Sequence, residues 1–350
     1  PRSTPKPSSA ASDVYKRQLA EAMHVPVATS LNAKDAILDN NPLCVGVVGT
    51  YSRRSANQVV AEADLVIFVG TRAGGMTTHF WTIPAKGTPT IQVDIDPLVN
   101  GRNYPTDVSI VGDARVTLEK MNELNIPVPK ERVEWIKQVQ EICTSYKTDF
   151  EEVYESDAFP IRPERIVNEL SNGMPENAII VVDTGHSGMW MGGMFEKRHE
   201  GQSYIRSAGH LGWAFPAALG AKCGAPGRPV VCFMGDLGFW YHMAEVETAV
   251  RAGINTVTII NNNNSGNMAK DSISNIYDGK PTKASQDIWV QNKINFAKIA
   301  EDMGAVGIRI EKANEIASAF QNALQLDKPV VIDIATDIEV VAPKAWEPKA

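Results

Sequence analysis

The residues of this sequence best placed to do chemistry are an aspartate and an asparagine at the ends of two apolar segments. Asp236 follows the apolar residues 230–234 and one glycine, and Asn263 follows a largely apolar segment, residues 256–260, and two further asparagines. If both segments are strands of one parallel sheet, joined by a helix at residues 243–252, the two side chains lie at the same sheet edge, where open α/β sheets bind ligands. Glycines in such turns expose N–H groups to phosphate, and Mg²⁺ can join phosphate to carboxylate and amide oxygens. We therefore predict a magnesium–phosphate site here.

Each half of this pattern also has a simpler interpretation. An aspartate after a glycine often belongs to a turn or caps a helix, and the four asparagines at 261–264 could form an ordinary polar loop. We favour the cofactor interpretation because both halves occur together, at the ends of neighbouring apolar segments.

Apolar segments alternate with helical segments through most of the chain, which indicates an α/β fold with mainly parallel sheets. Segments without a polar interruption are typical of buried central strands. We predict two doubly wound domains, since single hydrophobic cores stop growing at about 250–300 residues. The predicted strands lie within residues 25–29, 61–70, 90–96, 109–112, 178–183, 230–234, 256–260 and 330–334.

The domain boundaries follow from changes in composition. Residues 1–18 are rich in Pro, Ser and basic residues, and we interpret them as a disordered tail or as a segment that is not native. Residues 19–125 form the first domain, which we expect to be incomplete, and residues 161–340 form the second. Between them, residues 126–160 are predicted to be a linker with one long polar helix at 131–154.

The composition excludes several classes of function. The chain has 350 residues, of which 43% are hydrophobic and 21% are charged, and its net charge is −7. Such an acidic protein has no electrostatic reason to bind nucleic acid or an anionic membrane, and no apolar run reaches the ~20 residues that span a bilayer. The four cysteines form no C-x-x-C pair and are typical of reduced thiols, so we predict a cytoplasmic protein.

The Gly-Asp pair at 235–236, followed by the Asn-Asn pair at 262–263, resembles the cofactor motif of enzymes that depend on thiamine diphosphate (ThDP). The resemblance is to the acetolactate synthase type. It is strong over residues 160–335 and weaker over residues 19–125. It implies the fold of the middle and C-terminal domains of that family, with ThDP held through Mg²⁺.

The resemblance also implies which residues hold the metal ion. The ligands would be the carboxylate of Asp236, the side chain of Asn263 and the backbone carbonyl of Ser265. Leu237 stands where the family usually has Gly or Ala, a change that keeps the backbone N–H but adds bulk on the phosphate side. The same turn contributes as implied cofactor-binding residues Gly235, Asp236, Leu237 and Gly238.

Two further segments resemble cofactor-facing loops of this family. Residues 184–190 resemble the first diphosphate loop, although their histidine is displaced by one residue from the family pattern. Residues 207–221 resemble the segment whose apolar side chain, here Leu211, holds ThDP in a bent V shape. Without the other motifs, the first would be an ordinary Gly-rich turn and the second a core helix of small residues. Further implied cofactor-binding residues are Thr184, Gly185, His186, Ser187, Gly209 and Met268.

The activity implied by the resemblance is decarboxylation of a 2-oxo acid with carboligation, as in the conversion of pyruvate to acetolactate. In this family a glutamate on a separate N-terminal domain, usually from the partner subunit, protonates the pyrimidine ring of ThDP. No segment of this sequence resembles that domain. We therefore expect no catalytic residue in this chain, no activity of the chain alone, and a homo-oligomer, either a dimer or a tetramer.

Several alternatives stay open. Met268 is followed by Ala-Lys-Asp-Ser and not by the tryptophan of the synthases. A 2-oxo-acid decarboxylase or another acyl-transferring relative is therefore an alternative. A protein of another class, a non-catalytic cofactor-binding subunit whose partner supplies the activating glutamate, would carry the same motifs. An NAD-dependent protein is disfavoured because no G-x-G-x-x-G run follows a first strand. FAD is not expected, since the F-D-D-R-type run of the synthases is absent.

Overall fold

The computed structural model describes residues 7–207 and 209–348, and the chain divides into two compact units. Unit 1 runs to Asp149 and includes the C-terminal segment that begins at Lys344, whereas unit 2 is Phe150–Pro343. Residues 1–6 of the predicted tail lie outside the described residues. None of the helices in the described ranges is both long and apolar enough to cross a membrane.

Unit 1 contains two small parallel sheets, one of two strands and one of three. Its strands are β1 (Val27–Thr29), β2 (Cys44–Val47), β3 (Val66–Val69), β4 (Thr90–Asp94) and β5 (Val108–Val111), and β1 pairs with β2 while β3, β4 and β5 pair in that order. Its helices are α1 (Pro7–Met23), α2 (Arg54–Glu62), α3 (Ala114–Glu123) and α4 (Lys130–Thr148), with a 3₁₀ helix at Leu31–Ala36.

Helix α1 corrects the expectation of a disordered tail. Residues 7–18, for which the sequence showed no apolar period, belong to this helix. The helix has an anchor at its far end, where Ala20 is buried against Leu43 and Ile136. Residues 10–18 include Ala, Lys, Arg and Gln, which favour helix, so the helix extends beyond its anchor. The interpretation of residues 1–18 as a segment that is not native stays a prediction.

The region predicted as one linker helix forms two helices that belong to different units. Helix α4 ends at Thr148 in unit 1, and the short helix α5 (Glu151–Tyr154) begins unit 2. On α4, Val139 is fully buried in a cluster with Val45 and Val59. Buried side chains of this kind make α4 part of the core of unit 1. The wide spacing of its apolar residues hid this in the sequence.

Unit 2 contains one six-stranded parallel sheet in the order β10-β11-β9-β8-β6-β7. Its strands are β6 (Ile179–Val182), β7 (Ser203–Arg206), β8 (Val230–Gly235), β9 (Val257–Asn262), β10 (Val306–Ile310) and β11 (Val330–Ala335). The helices after α5 are α6 (Pro163–Gly173), α7 (His186–Gly193), α8 (Ala214–Gly224), α9 (Asp236–His242), α10 (Glu245–Ala252), α11 (Lys270–Ile276), α12 (Lys283–Asp287), α13 (Phe296–Asp302) and α14 (Ile316–Leu324), with 3₁₀ helices at Asn267–Ala269 and Ala313–Glu315.

The predicted α/β class with mainly parallel sheets is confirmed. Every residue of β6, β9 and β11 is buried, so both faces of these strands are covered, as the uninterrupted apolar sequence of β6 predicted for that strand. Local signals mark where helices of this unit begin and end. Pro163 occupies the first turn of α6, and Gly253 takes the left-handed conformation that closes α10. The sheet therefore offers a rigid edge at the carboxyl ends of its strands.

The C-terminal segment packs on unit 1. The Asn57 side chain donates its amide N–H to the carbonyl of Trp346 over 3.0 Å, and the His79 ring lies 2.7 Å from the Glu347 carboxylate. Asn57 is fully buried and also holds the backbone of Gly49 after β2. The segment is thus a structural part of unit 1 and not only an extension of unit 2.

Candidate functional site

Three of the turns predicted to face the cofactor follow strands that lie next to one another in unit 2. Strands β9, β8 and β6 are adjacent and parallel, and their carboxyl ends bring Asn263, Asp236 and Thr184 to one sheet edge. From β6 the chain moves outward to β7 and then returns to the other side of β6 as β8. This reversal makes the edge a topological switch point, where α/β sheets bind ligands.

Asp236 is the centre of a cluster of hydrogen bonds at this edge. Its side chain is buried, one carboxylate oxygen accepts a hydrogen bond from the Leu237 N–H at 2.6 Å, and the other accepts one from the Ser265 N–H at 3.0 Å. The Ser265 hydroxyl in turn donates to the side-chain oxygen of Asn263 at 2.8 Å. The structure therefore brings together the three residues that were predicted to hold the metal ion.

Burial gives the Asp236 carboxyl an unusual environment. Loss of solvent raises its pKa to about 6, and backbone N–H groups of Leu237, Ser265 and Asn264 partly oppose this rise. The negative charge of Asp333 adds a smaller increase in the pKa. A cation bound to the Asp236 oxygens would favour the ionised form, because opposite charge at short range stabilises a buried carboxylate.

The donor atoms at this edge fit Mg²⁺. Asp236 offers carboxylate oxygens, Asn263 an amide oxygen and Ser265 a carbonyl oxygen, which are the hard ligands that Mg²⁺ prefers. Across the described residues, no group of three His, Cys, Asp or Glu side chains gathers as it would to hold a softer transition metal. A single carboxylate also leaves room for phosphate oxygens on the ion, as Mg²⁺ sites with phosphate ligands require.

A second buried aspartate holds the loop after β9. Asp333, on β11, accepts hydrogen bonds from the Asn262 side chain at 2.8 Å and from the Phe296 N–H at 2.7 Å. Its second oxygen also pairs with Arg309 at 2.8 Å. The Asn262 side-chain oxygen then accepts a hydrogen bond from the Asn264 N–H at 3.2 Å. Sequence reasoning missed Asp333, whose one signal was a charged residue inside an otherwise apolar strand.

The turn after β6 forms an open cradle beside Asp236. Gly185 precedes helix α7 with a positive φ of 70°, and a Cβ at this position would meet no atom within 4 Å. Ser187 is buried, and its hydroxyl oxygen lies 3.6 Å from the place where a Cβ on Gly235 would stand. The predicted diphosphate loop and the Gly-Asp turn are therefore direct neighbours.

Thr184 and His186, the other two predicted residues of this turn, are half-buried. The Thr184 hydroxyl accepts a hydrogen bond from the Arg206 guanidinium at 3.3 Å. Burial lowers the pKa of His186, and the charge of Asp271 partly opposes this shift. A neutral imidazole adds no positive charge to the cradle, so backbone N–H groups would provide its attraction for phosphate.

Leu237 and Gly238 have close neighbours within the protein, and their contact with a cofactor stays a prediction. The Leu237 side chain lies on the loop after β9, where its Cδ2 would be 3.2 Å from a Cβ on Gly266. Its N–H, predicted to face phosphate, donates to Asp236. A Cβ on Gly238 would stand 2.3 Å from an oxygen of Asp183. Gly238 is small here because a buried carboxylate lies against it.

The remaining predicted residues lie around the same edge. Leu211 is half-buried, and its Cδ1 would be 3.5 Å from a Cβ on Gly238. Gly209 has a φ of 105° and faces open space. Met268 is 50% exposed on the 3₁₀ helix at Asn267–Ala269, so it lies on the surface of the site and not in a packed core. Contact of these residues with a cofactor stays a prediction.

Comparison with protein families gives two matches along the chain. Residues 183–334 match the family "Thiamine pyrophosphate enzyme, C-terminal TPP binding domain". Residues 9–121 match "Thiamine pyrophosphate enzyme, central domain". The first match contains the residues of the sheet edge described above and runs from Asp183 to Ile334 in β11.

Curated relatives extend the similarity over most of the chain. A "Probable acetolactate synthase large subunit" of Methanococcus aeolicus is 33% identical over 337 residues, which cover 91% of this chain and 55% of that protein. The acetolactate synthase large subunit of Corynebacterium glutamicum is 31% identical, over 91% of this chain and 51% of its own length. The acetolactate synthase large subunit of Haemophilus influenzae is 29% identical, over 91% of this chain and 56% of its own length. The chain spans about half the length of the curated relatives it matches.

Proposed function

The chain belongs to the thiamine pyrophosphate enzyme family, of which it carries the central and the C-terminal domains, and we propose that it binds ThDP through Mg²⁺ at the sheet edge of unit 2. The observation that carries this proposal is the hydrogen-bonded cluster of Asp236, Ser265 and Asn263 at the switch point. In the proposed site these three residues hold the ion. Gly185 leaves space for the diphosphate, and the hydroxyl of Ser187 provides a hydrogen-bond donor.

We propose that the reaction is decarboxylation of a 2-oxo acid followed by carboligation, with pyruvate as donor and acetolactate as product. When bound, ThDP supplies the nucleophilic carbon and the electron sink for the loss of CO₂. Residues of this chain bind and orient the cofactor, and Leu211 supports its bent form. Relatives named as acetolactate synthase large subunits support the choice of substrate.

We further propose that residues 1–350 bind the cofactor but do not complete the reaction without an activating glutamate, which in this family lies on a separate N-terminal domain. We also propose a homo-oligomer. Trp240 and Tyr241, on helix α9 beside the site, expose 37% and 62% of their surface, and exposed aromatic groups of this kind are typical of subunit contacts. All four cysteines are free thiols, which supports a reducing compartment, and we place the protein in the cytoplasm.

Calorimetric titration of the 350-residue chain with ThDP tests the binding proposal. We expect binding in the presence of Mg²⁺, none after chelation, and loss of binding in Asp236→Ala. The matched control is Asp287→Ala, which changes an exposed aspartate at the end of α12 and should leave the affinity unchanged. Equal ThDP affinity in Asp236→Ala and in the unmodified chain would contradict the proposal.

Incubation with pyruvate, ThDP and Mg²⁺ tests the catalytic part. For the 350-residue chain alone we expect cofactor binding without release of CO₂. Steady release of CO₂ would show that this chain supplies the activating acid itself. In that case, acetolactate as product would support the synthase assignment, and acetaldehyde would favour a decarboxylase.

A further inference from the structure

A buried carboxylate that no part of the proposed chemistry uses lies where three segments of the site meet. Asp183 follows β6 and has no exposed surface. Both of its oxygens accept the N–H of Gly212, at 3.1 and 2.9 Å. Gly212 follows Leu211 directly, so the hydrogen bonds fix the backbone next to the side chain that is predicted to support the cofactor.

The packing around this carboxylate leaves no freedom for the backbone of Gly212. Its φ is 84°, and a Cβ on it would stand 2.8 Å from the carbonyl oxygen of Gly238 and 2.8 Å from Cβ of Tyr241. A Cβ on Gly238 would in turn stand 2.3 Å from an oxygen of Asp183 and 3.5 Å from Leu211. The carboxylate, Gly212 and Gly238 thus hold the Leu211 loop against helix α9.

The position of Asp183 is costly for a group that only fills space. Burial raises the pKa of its carboxyl, and the N–H groups of Gly212, Thr184 and Ala214 together with the Arg206 charge oppose that rise. Apolar residues of similar size often replace buried charged groups without loss of stability. The hydrogen bonds to Gly212, next to Leu211, give this buried carboxylate a direct connection to the site.

We propose that Asp183 is a positioning residue that sets Leu211 against the ring portion of ThDP, while the Asp236 cluster holds the diphosphate. The proposal rests on the proposed function and divides the site into two parts. Asp236, Asn263 and Ser265 form the anchor for the charged end of the cofactor. Asp183 acts through Gly212 and Leu211 on the ring end and makes no contribution to the anchor.

Comparison of two ligands separates these parts. Inorganic pyrophosphate with Mg²⁺ tests the anchor alone, and ThDP with Mg²⁺ tests the anchor and the ring contacts together. Both are titrated calorimetrically into the 350-residue chain and into Asp183→Ala, Asp183→Asn and Leu211→Ala. Thermal melting of each variant, followed by circular dichroism, shows which of them fold.

We expect Asp183→Ala to bind ThDP about tenfold more weakly, because a charge-assisted hydrogen bond to the loop is lost, and to bind pyrophosphate as the unmodified chain does. Asp183→Asn keeps one acceptor oxygen for Gly212, so its ThDP affinity should lie between that of the unmodified chain and that of Asp183→Ala. Leu211→Ala should reproduce the loss. The double variant Asp183→Ala/Leu211→Ala should lose no more than Leu211→Ala alone, since Asp183 acts through Leu211.

The possible failures are distinguishable. If the unmodified chain binds neither ligand with Mg²⁺, the proposed function itself is overturned. If both ligands bind but the Asp183 variants lose them equally, or lose only melting temperature, Asp183 is a structural residue and the inference is wrong. Additive losses in the double variant would overturn it as well. If Asp183→Ala does not fold, Asp183→Asn provides the test. Weaker binding of ThDP with unchanged binding of pyrophosphate would support the inference, and equal losses for both ligands would overturn it.

Discussion

Two aspartates at the candidate site have partners that are far apart in the sequence. Asp183 holds Gly212, and Asp333 holds Asn262. In the sequence each is a single acidic residue in or after an apolar strand, and turn or capping roles explain such residues equally well. Asp236 was predictable because it belongs to a motif with fixed neighbours. The two others become visible only when the sheet brings distant segments together.

We predict that Asp333→Ala weakens both stability and cofactor binding. The change leaves the Asn262 amide, the Phe296 N–H and Arg309 without their buried acceptor, which should lower the free energy of unfolding by about 3 kcal/mol. The loop after β9 would also lose its anchor. Urea unfolding and Mg²⁺-dependent titration with ThDP measure the two effects. Unchanged affinity in a folded variant would show that Asp333 does not position the loop.

Gly238→Ala should destabilise unit 2 by about 2 kcal/mol or more, because its Cβ would overlap the Asp183 carboxylate. The matched control is Gly220→Ala on helix α8, where a Cβ meets nothing within 4 Å. That change should stabilise the helix by about 0.5–1 kcal/mol. Thermal unfolding of the two variants should therefore shift in opposite directions, and equal shifts would contradict the packing described around Asp183.

Among the helices and strands, the short segments rich in apolar residues predicted the central strands well. The segments at 178–183, 230–234 and 330–334 became β6, β8 and β11 with small changes in their ends. Such segments have few alternatives, since they must be buried on both faces. Helices α1 and α4 were harder to interpret, because each buries only a few side chains and long-range contacts determine where it packs.

The place of α4 in the core of unit 1 leads to a paired prediction. Val139→Ala removes two methyl groups from a fully buried site, so we expect a loss of about 2 kcal/mol in the stability of unit 1. Val133→Ala on the same helix changes a residue that is 41% exposed and should have little effect. Hydrogen exchange of unit 1 peptides measures both. Similar hydrogen exchange in the two variants would contradict the place of α4 in the core of unit 1 and would favour its interpretation as a linker.

In the whole molecule, the C-terminal segment described here, residues 344–348, belongs to unit 1 together with residues 7–149. The sequence did not predict this, because residues 344–348 have no apolar pattern and their contacts lie hundreds of positions away in the chain. The α/β class and the two domains followed from patterns along the chain. The return of the C-terminal segment depends on single hydrogen bonds, which leave no periodic signal.

Removal of residues 344–350 should weaken unit 1 without changing unit 2. The truncation deletes the acceptor of the Asn57 amide and the Glu347 partner of His79, and we expect a loss of about 1–2 kcal/mol in unit 1. Hydrogen exchange should increase around Asn57 and His79, while peptides of the unit 2 sheet exchange as before. Trp346→Ala keeps the backbone carbonyl and serves as the control. Unchanged exchange near Asn57 after truncation would contradict the contact.

The most direct test of the magnesium site is a crystal structure of the 350-residue chain with ThDP and Mn²⁺ in place of Mg²⁺, because Mn²⁺ gives an anomalous signal. We expect one anomalous peak within bonding distance of the Asp236 carboxylate and the Asn263 side-chain oxygen, with the diphosphate on its open side. Bound ThDP with its metal ion elsewhere, or with no metal ion at these oxygens, would contradict it.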